Sequence, residues 1–325
     1  MTSKISSAVV LATTLWGIVD ANAQSYPARP ITAIVGYAAG GPTDTIARIV
    51  TERMKPALGQ PILVENVTGA SGSIGTGRVA RAAPDGYTIS IGDWSTHVIN
   101  GAIYPLNYDL LQDFAPVALL PSSPQTFLAK NAVPARDLKE LIAWLKANQD
   151  KVSWGTPGAG APGHITALLL QNLIGARFQF VSYRGAAPAM QDLVAGQIDV
   201  TTNQISNALP QIRAGKIKAY AVTSKARLDV APEIPTADEA GLPGFYVSVW
   251  RGIWAPKQTP KDIVARLNAA VVETLADPAV RQRLAGIGEE IPARDQQTPE
   301  ALGAFQKAEI EKWWPIIKAA NIKPE

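Results

Sequence analysis

Short apolar runs rich in β-branched residues alternate along this chain with stretches whose apolar residues recur every three to four positions. Residues 31–35 (ITAIV) are the first run. Gly36-Tyr-Ala-Ala-Gly-Gly-Pro-Thr-Asp44 follows. Ile46, Ile49, Val50, Met54 and Leu58 then repeat at helical spacing, which predicts a helix with Asp44 as N-cap and Gly59 as stop. Residues 61–67 predict a strand, and the glycine-rich residues 69–77 lead into a helix reaching Ala83. Residues 88–91 predict a strand that delivers Gly92-Asp-Trp-Ser-Thr-His97.

The pattern breaks at Pro121-Ser-Ser-Pro124, which predicts a crossover into a second unit. Asp137-Leu-Lys-Glu140 has the spacing of a capping box, before a helix whose apolar face is Leu138, Leu141, Ile142 and Leu145. A strand at 151–155, a loop at 156–163, a helix at 164–174 ended by Gly175 and a strand at 177–183 follow. Ala195-Gly-Gln-Ile198 and Ala214-Gly-Lys-Ile217 each read as a helix-to-strand joint. The last third predicts helices. Thr259-Pro-Lys-Asp262 reads as a second capping box with Pro260 at the first helical position, and Asp277-Pro278 and Thr298-Pro299 start two more. Trp313 and Trp314 read as core. Strands alternating with helices imply βαβ units and mostly parallel sheets, in which ligands bind beyond the carboxyl ends of the strands.

Composition narrows the chemistry. The 325 residues, 47% of them hydrophobic, suffice for two domains with real cores and exclude wholesale disorder. The absence of cysteine removes disulfides, thiolate metal sites and a cysteine nucleophile. His97 and His164 are the only histidines, so a multi-histidine metal site is not expected. A formal charge of +3 without a basic run argues against a nucleic-acid partner. Residues 1–23 have the form of a secretory signal: Lys4, an apolar run from Ala8 to Val19, and Ala21-Asn22-Ala23 before a mature start at Gln24. That reading predicts an exported, periplasmic protein that is not lipid-anchored.

Three strand-to-helix loops carry the candidate chemistry: residues 36–44, 155–164 and 183–188. Glycine lets backbone approach a ligand, and a helix start adds unpaired N–H groups with a positive dipole end. Such loops hold carboxylate or phosphate, and Arg184 could add a bidentate contact. Gly158-Ala-Gly-Ala-Pro-Gly163 has dinucleotide-fingerprint spacing, but no Asp or Glu lies between His164 and Gln191 to hold a ribose. The nucleophile elbow G-x-S-x-G and the phosphate loop ending in G-K-[ST] are absent. No cofactor, metal or catalytic residue is therefore expected. An exported carboxylate-ester hydrolase acting through Ser95 or His164, and a ligand sensor feeding a signalling partner, remain the alternatives.

Several segments together resemble the periplasmic receptors of tripartite tricarboxylate transporters, the Bug-type solute-binding proteins. They are Tyr26-Pro27-Ala-Arg-Pro30, Ala39-Gly-Gly-Pro-Thr-Asp44, Val64-Glu-Asn66, Pro84-Asp-Gly-Tyr87, Tyr108-Asp109 with Asp113-Phe114 and Pro116-Val117, Tyr183-Arg-Gly185, Asp192-Leu-Val-Ala-Gly-Gln-Ile-Asp199, Pro235-Thr236 with Glu239-Ala-Gly241, and Trp250 with Ala255-Pro256. The resemblance implies an α/β fold of the type II periplasmic binding protein class, two lobes with a hinge and an interlobe cleft. It places lobe 1 at 24–124 and 247–325 and lobe 2 at 125–246. It implies a non-catalytic, monomeric receptor that takes a small di-, tri- or aromatic carboxylic acid and delivers it to membrane permease subunits. Carried over by motif and completed by the loop reading, the expected ligand residues are Tyr37, Ala39, Gly40, Gly41, Thr43, Trp94, Ser95, Thr96, His97, Thr156, Gly158, Gly160, His164, Arg184, Gly185 and Asn203. Asn203 stands where many members carry Asp, which predicts a site friendlier to anions. Trp94 replaces a usually small residue, so Trp94 and Tyr37 could sandwich an aromatic acid.

Overall fold

The computed structural model describes residues 26–320 and 322; the signal reading of residues 1–23 and the start at Gln24 lie outside them. The chain begins with β1 (Ile31–Val35), α1 (Pro42–Leu58), β2 (Ile62–Asn66), α2 (Ser73–Ala80) and β3 (Thr88–Asp93). One π-helical turn, Ser95–Ile99, runs into α3 (Asn100–Ile103). β4 (Phe114–Lys130) is followed by α4 (Leu138–Ala147), β5 (Ser153–Thr156), α5 (Pro162–Ile174), β6 (Gln179–Ser182), α6 (Ala186–Val194), β7 (Val200–Gln204), α7 (Ile205–Arg213) and β8 (Ile217–Val222). β9 (Ser248–Pro256), α8 (Lys261–Ala276), α9 (Pro278–Ala285) and α10 (Pro299–Ala319) complete the chain.

The strands join in the order β2-β1-β3-β9-β4-β7-β5-β6, with β8 also on β4. β4 is 17 residues long and serves two sections of this sheet. From Phe114 to Pro124 it pairs with β9; from Gln125 onward it pairs with β7 and β8. The expected crossover at Pro121-Ser-Ser-Pro124 is thus an unbroken strand. Pro116, Pro121 and Pro124 all fall where β9 is the paired neighbour. Proline lacks an N–H to donate and is tolerated at a sheet edge, so these residues are compatible with the strand the sequence pattern hid. The pairing slips between Leu120 and Ser123, and Ser122 exchanges backbone hydrogen bonds of 3.0 and 2.7 Å with Glu290 instead.

The expectation of mostly parallel sheets needs correction. Parallel pairing holds for β1 with β2 and β3, and for β5 with β6 and β7. β3–β9, β4–β9, β4–β7 and β4–β8 are antiparallel, so the sheet is mixed. The reason is topological: β4 carries the chain from one sheet section to the other and β9 brings it back, so the two run in opposite senses.

Local signals explain several helix ends. α1 buries Ile46, Ile49, Val50, Met54 and Leu58 against β1, β3 and α8, and Gly59 closes it with φ 76°. Asp277 and Thr298 cap α9 and α10 through their side chains as expected. Three cap readings fail. The α1 N-cap is Gly41, and Asp44 sits inside the first turn, where it accepts from the Gly40 N–H at 2.9 Å. Asp137 caps α4, but Glu140 turns to the Arg136 N–H and guanidinium, leaving half a capping box. Thr259 donates to the Pro256 carbonyl at 2.7 Å, and Pro260 is the N-cap of α8 without a side-chain cap.

A buried ionic network sits where β4 changes partners. Arg251 of β9 donates to Glu289 at 2.8 Å and to the Pro121 carbonyl at 3.0 Å, and also to Gln204 Oε1 at the end of β7. Ser123 donates to Glu289 at 3.0 Å and to Gln204 at 3.3 Å. Both charged side chains are 0% exposed, so each depends on the other for solvation. Removing one partner leaves a bare buried charge. Glu289→Ala is expected to cost about 3–5 kcal/mol in a urea denaturation series; a loss below about 1 kcal/mol would show that the pair is not solvating itself.

Candidate functional site

A partly open cavity lies between the two sheet sections. Its walls come from Tyr37, Gly41, Pro42, Thr43 and Asp93 on one side and Gln125, Pro157, Pro162, Gly163, Ala186, Thr202, Asn203 and Gln204 on the other. Four helices begin there. Gly41 is the N-cap of α1, Pro162 and Ala186 are the first residues of α5 and α6, and Gln204 is the N-cap of α7. None of the four has a side-chain cap. First-turn N–H groups point out along the helix axis and need acceptors, so uncapped starts at one cavity are chemically suited to an anion.

One wall carries the opposite polarity. Asp93, at the carboxyl end of β3, is 1% exposed. Its Oδ1 accepts from the Tyr37 hydroxyl at 3.2 Å and from the Ser95 and Thr96 N–H groups at 3.0 and 3.1 Å. Its Oδ2 accepts from Thr43 at 3.3 Å. Burial raises the Asp93 pKa, opposed by the Thr96 N–H, by the charge of its cross-strand neighbour Arg251, and by the two hydroxyls. Burial and the Asp93 charge push the Tyr37 hydroxyl well above its ordinary range. Asp44 behaves differently. Burial alone would raise it, but Arg48, the Gly40 N–H and Asn66 hold it below the usual carboxylate value.

The loops on either side touch. The Ala38 N–H donates to the Arg184 carbonyl at 3.0 Å, Asn207 to the Gly40 carbonyl at 3.1 Å, and Ser95 to the Gly160 carbonyl at 2.8 Å. Glycine is required at Gly185, whose φ is 141° and where a Cβ would sit 3.0 Å from the Ala38 nitrogen. Gly160, with φ 81°, would place a Cβ 2.7 Å from Ile103.

Of the sixteen expected ligand residues, Tyr37, Gly41, Thr43 and Asn203 line the cavity. Ala39, Gly40, Gly158, Gly160 and Gly185 shape the touching loops, and Ser95 ties two of them together. Thr156 is 0% exposed at the end of β5, and its hydroxyl has no partner among the described residues. Thr96 turns its hydroxyl to Asp93 and to His97 Nδ1. His164 Nδ1 accepts from the Gly160 N–H at 3.0 Å and its ring packs edge-on against Phe180, so it staples the loop. Three expected residues lie off the cavity wall. Trp94 is 1% exposed, packs edge-on against Trp313 at 4.7 Å and is not part of the cavity wall. His97 is 0% exposed and stacks on Trp254 at 3.6 Å. α10 holds this segment from behind: Gln306 donates to the His97 carbonyl and Trp314 to the Val98 carbonyl. Arg184 is exposed and outside the wall; its carbonyl, not its guanidinium, takes part in the loop contact.

The hydrolase alternative finds no support in this geometry. Ser95 donates to a carbonyl and His164 accepts from a backbone N–H, so neither pair makes a nucleophile with its base. Among the described residues no group of three or more His, Asp or Glu is placed to hold a metal, and no helix is long and apolar enough to cross a membrane.

Asp93, Gln125, Thr202 and Gln204 line the cavity without having been anticipated. Asp93 was legible, since it ends a strand just where such sheets bind ligands. Gln204 follows Asn203 at another strand end. Gln125 and Thr202 lie within strands and carry no sequence signal.

A sheet built in two sections, with helix starts gathered over a cavity between them, is the architecture of a periplasmic binding protein. The sequence profile of the tripartite tricarboxylate transporter family receptors matches residues 46–322, and the chain belongs to that family. The chain is 40% identical to the periplasmic binding protein BugD, with a TM-score of 0.89 over 92% of this chain and 100% of that one. It is 42% identical to MatC from Rhodopseudomonas palustris, solved with bound malate, with a TM-score of 0.86 over 90% of this chain and 100% of that one. It is 31% identical to R. palustris Rpa4515, solved with adipate, with a TM-score of 0.87 over 92% of this chain and 100% of that one.

Burial also sets a pH response. It lowers His97 to about 3 and His164 to about 4. The unfolded chain takes up a proton at each near pH 6.5 while the folded chain does not. Stability is therefore fully present above about pH 6.5 and is lost as pH falls toward those values. Denaturation midpoints should drop between pH 6.5 and 4, and less steeply for His97→Gln; parallel slopes for the two proteins would contradict the buried neutral His97.

Proposed function

We propose that this periplasmic solute-binding receptor captures a small aliphatic di- or tricarboxylate and hands it, unaltered, to the permease subunits of a tripartite transporter. The observation that carries the reading is the convergence of four uncapped helix starts on one cavity. Backbone N–H groups supply a donor array that needs no cationic side chain, which fits a wall without Lys or Arg. Malate and adipate in two relatives make aliphatic acids the first candidates. The inward packing of Trp94 removes the argument for an aromatic one.

In this reading the protein acts as an exported monomer with lobe 1 at 24–124 and 247–325 and lobe 2 at 125–246. The change of β4 partner between Pro124 and Gln125 supports that division. The loop contacts at Ala38, Gly40 and Ser95 are then lobe-to-lobe contacts of a closed form, whose shape the permease can read.

A thermal-shift panel of malate, citrate, adipate, succinate and benzoate tests it. At 100-fold excess over its Kd a bound acid adds about 2.7 kcal/mol of stability, so the fitting acid should raise the melting temperature by several degrees. It should be recovered chemically unchanged. No shift with any acid, or recovery of a product, would refute the reading.

Two substitutions separate backbone from side-chain recognition. Gly163→Ala places a Cβ 3.0 Å from both the Thr202 carbonyl and Pro157 Cδ at the mouth of α5. It should weaken binding at least tenfold, about 1.4 kcal/mol. Arg184→Ala should stay within about twofold, under 0.5 kcal/mol. Calorimetry giving the reverse order would return recognition to the guanidinium.

A further inference from the structure

We infer that Asp93 is a specificity-determining residue that selects carboxylates carrying a hydrogen-bond donor, hydroxyl or ammonium, on their carbon chain. The inference rests on the receptor reading above and goes beyond it in naming what else the ligand must carry.

The helix starts can satisfy carboxylate groups, but Asp93 presents the cavity with an acceptor. A carboxylate oxygen offers two lone pairs. Oδ1 accepts from Tyr37, Ser95, Thr96 N–H and, at 3.4 Å, the Thr96 hydroxyl. Among the described residues Oδ2 accepts a single bond, the 3.3 Å contact from Thr43. An acceptor that is buried and under-used loses its hydration without full replacement, so a ligand donor placed there gains what the cavity otherwise lacks.

The neighbours reinforce that polarity. Tyr37 and Thr43, which also line the cavity, each donate their hydroxyl to Asp93, so neither proton is left for a ligand acceptor. Arg251 neighbours Asp93 across the strands, but its guanidinium is held by Glu289, Gln204 and the Pro121 carbonyl, so it does not supply the missing donor. This wall therefore repels a bare carboxylate and accepts a donor, while the helix starts do the reverse. A site built to bond a ligand hydroxyl rejects the analogue that lacks it, because the buried polar group is then left unpaired.

Calorimetric titration of L-malate, L-aspartate and succinate into the protein and into Asp93→Asn tests the assignment. The three share a four-carbon dicarboxylate frame and differ in one substituent. Malate or aspartate is expected to bind at least tenfold tighter than succinate. A tighter aspartate points to ammonium, a tighter malate to hydroxyl. In Asp93→Asn that ratio should fall to within about threefold. A merely structural role would weaken all three alike and leave the ratio standing, which overturns the inference. So does succinate binding as tightly as malate and aspartate to the unsubstituted protein, a result that needs no variant to fold. Binding of adipate but none of the three overturns the donor requirement and leaves the receptor reading intact; no binding by any acid removes both.

Discussion

The structure depends on an electrostatic demand: helix starts without side-chain caps must find acceptors. In α4, α9 and α10 the demand is met at once by Asp137, Asp277 and Thr298. In α1, α5, α6 and α7 no side-chain cap is present, and the chain brings all four starts to the same cavity. Missing caps alone do not set these four apart, since α8 starts at Pro260 without one and packs in the core beside α1; what sets them apart is that their starts share one cavity.

Getting four helix starts to one place requires the mixed sheet. Parallel pairing of β1 with β2 and β3, and of β5 with β6 and β7, puts strand ends and following helix starts on the inner edges of two sections. β4 and β9 then fix one section against the other, and Arg251, Glu289, Gln204 and Ser123 cross-link them where β4 changes partners. Gln204 belongs both to this network and to the cavity wall, so the join between the sections and the ligand space share a side chain.

Much of this was legible in the chain because it rests on local rules. Apolar spacing marked α1, Gly59 its end, and Asp277 and Thr298 two caps. What escaped has physical causes. β4 was hidden because three prolines read as a break, while edge pairing lets a strand carry them. α5 begins two residues before His164 because Pro162 sits at the first helical position, and those two residues, Pro162 and Gly163, reach the cavity. Trp94 and His97 were expected to face a ligand beside Ser95. The tertiary grip of Trp313, Trp254 and Gln306, none near in sequence, pulls them to the opposite side. The motif carried the loop faithfully but not the direction in which each side chain leaves it.

The central claim is that main-chain amides at helix starts hold the ligand. Its most direct measurement is a backbone amide NMR titration with whichever acid raises the melting temperature most. The largest shifts are expected at Thr43, Gly163, Ala186 and Ile205, the first-turn amides of α1, α5, α6 and α7. Shifts concentrated on arginine and lysine side chains, or on amides away from those four helix starts, would contradict it.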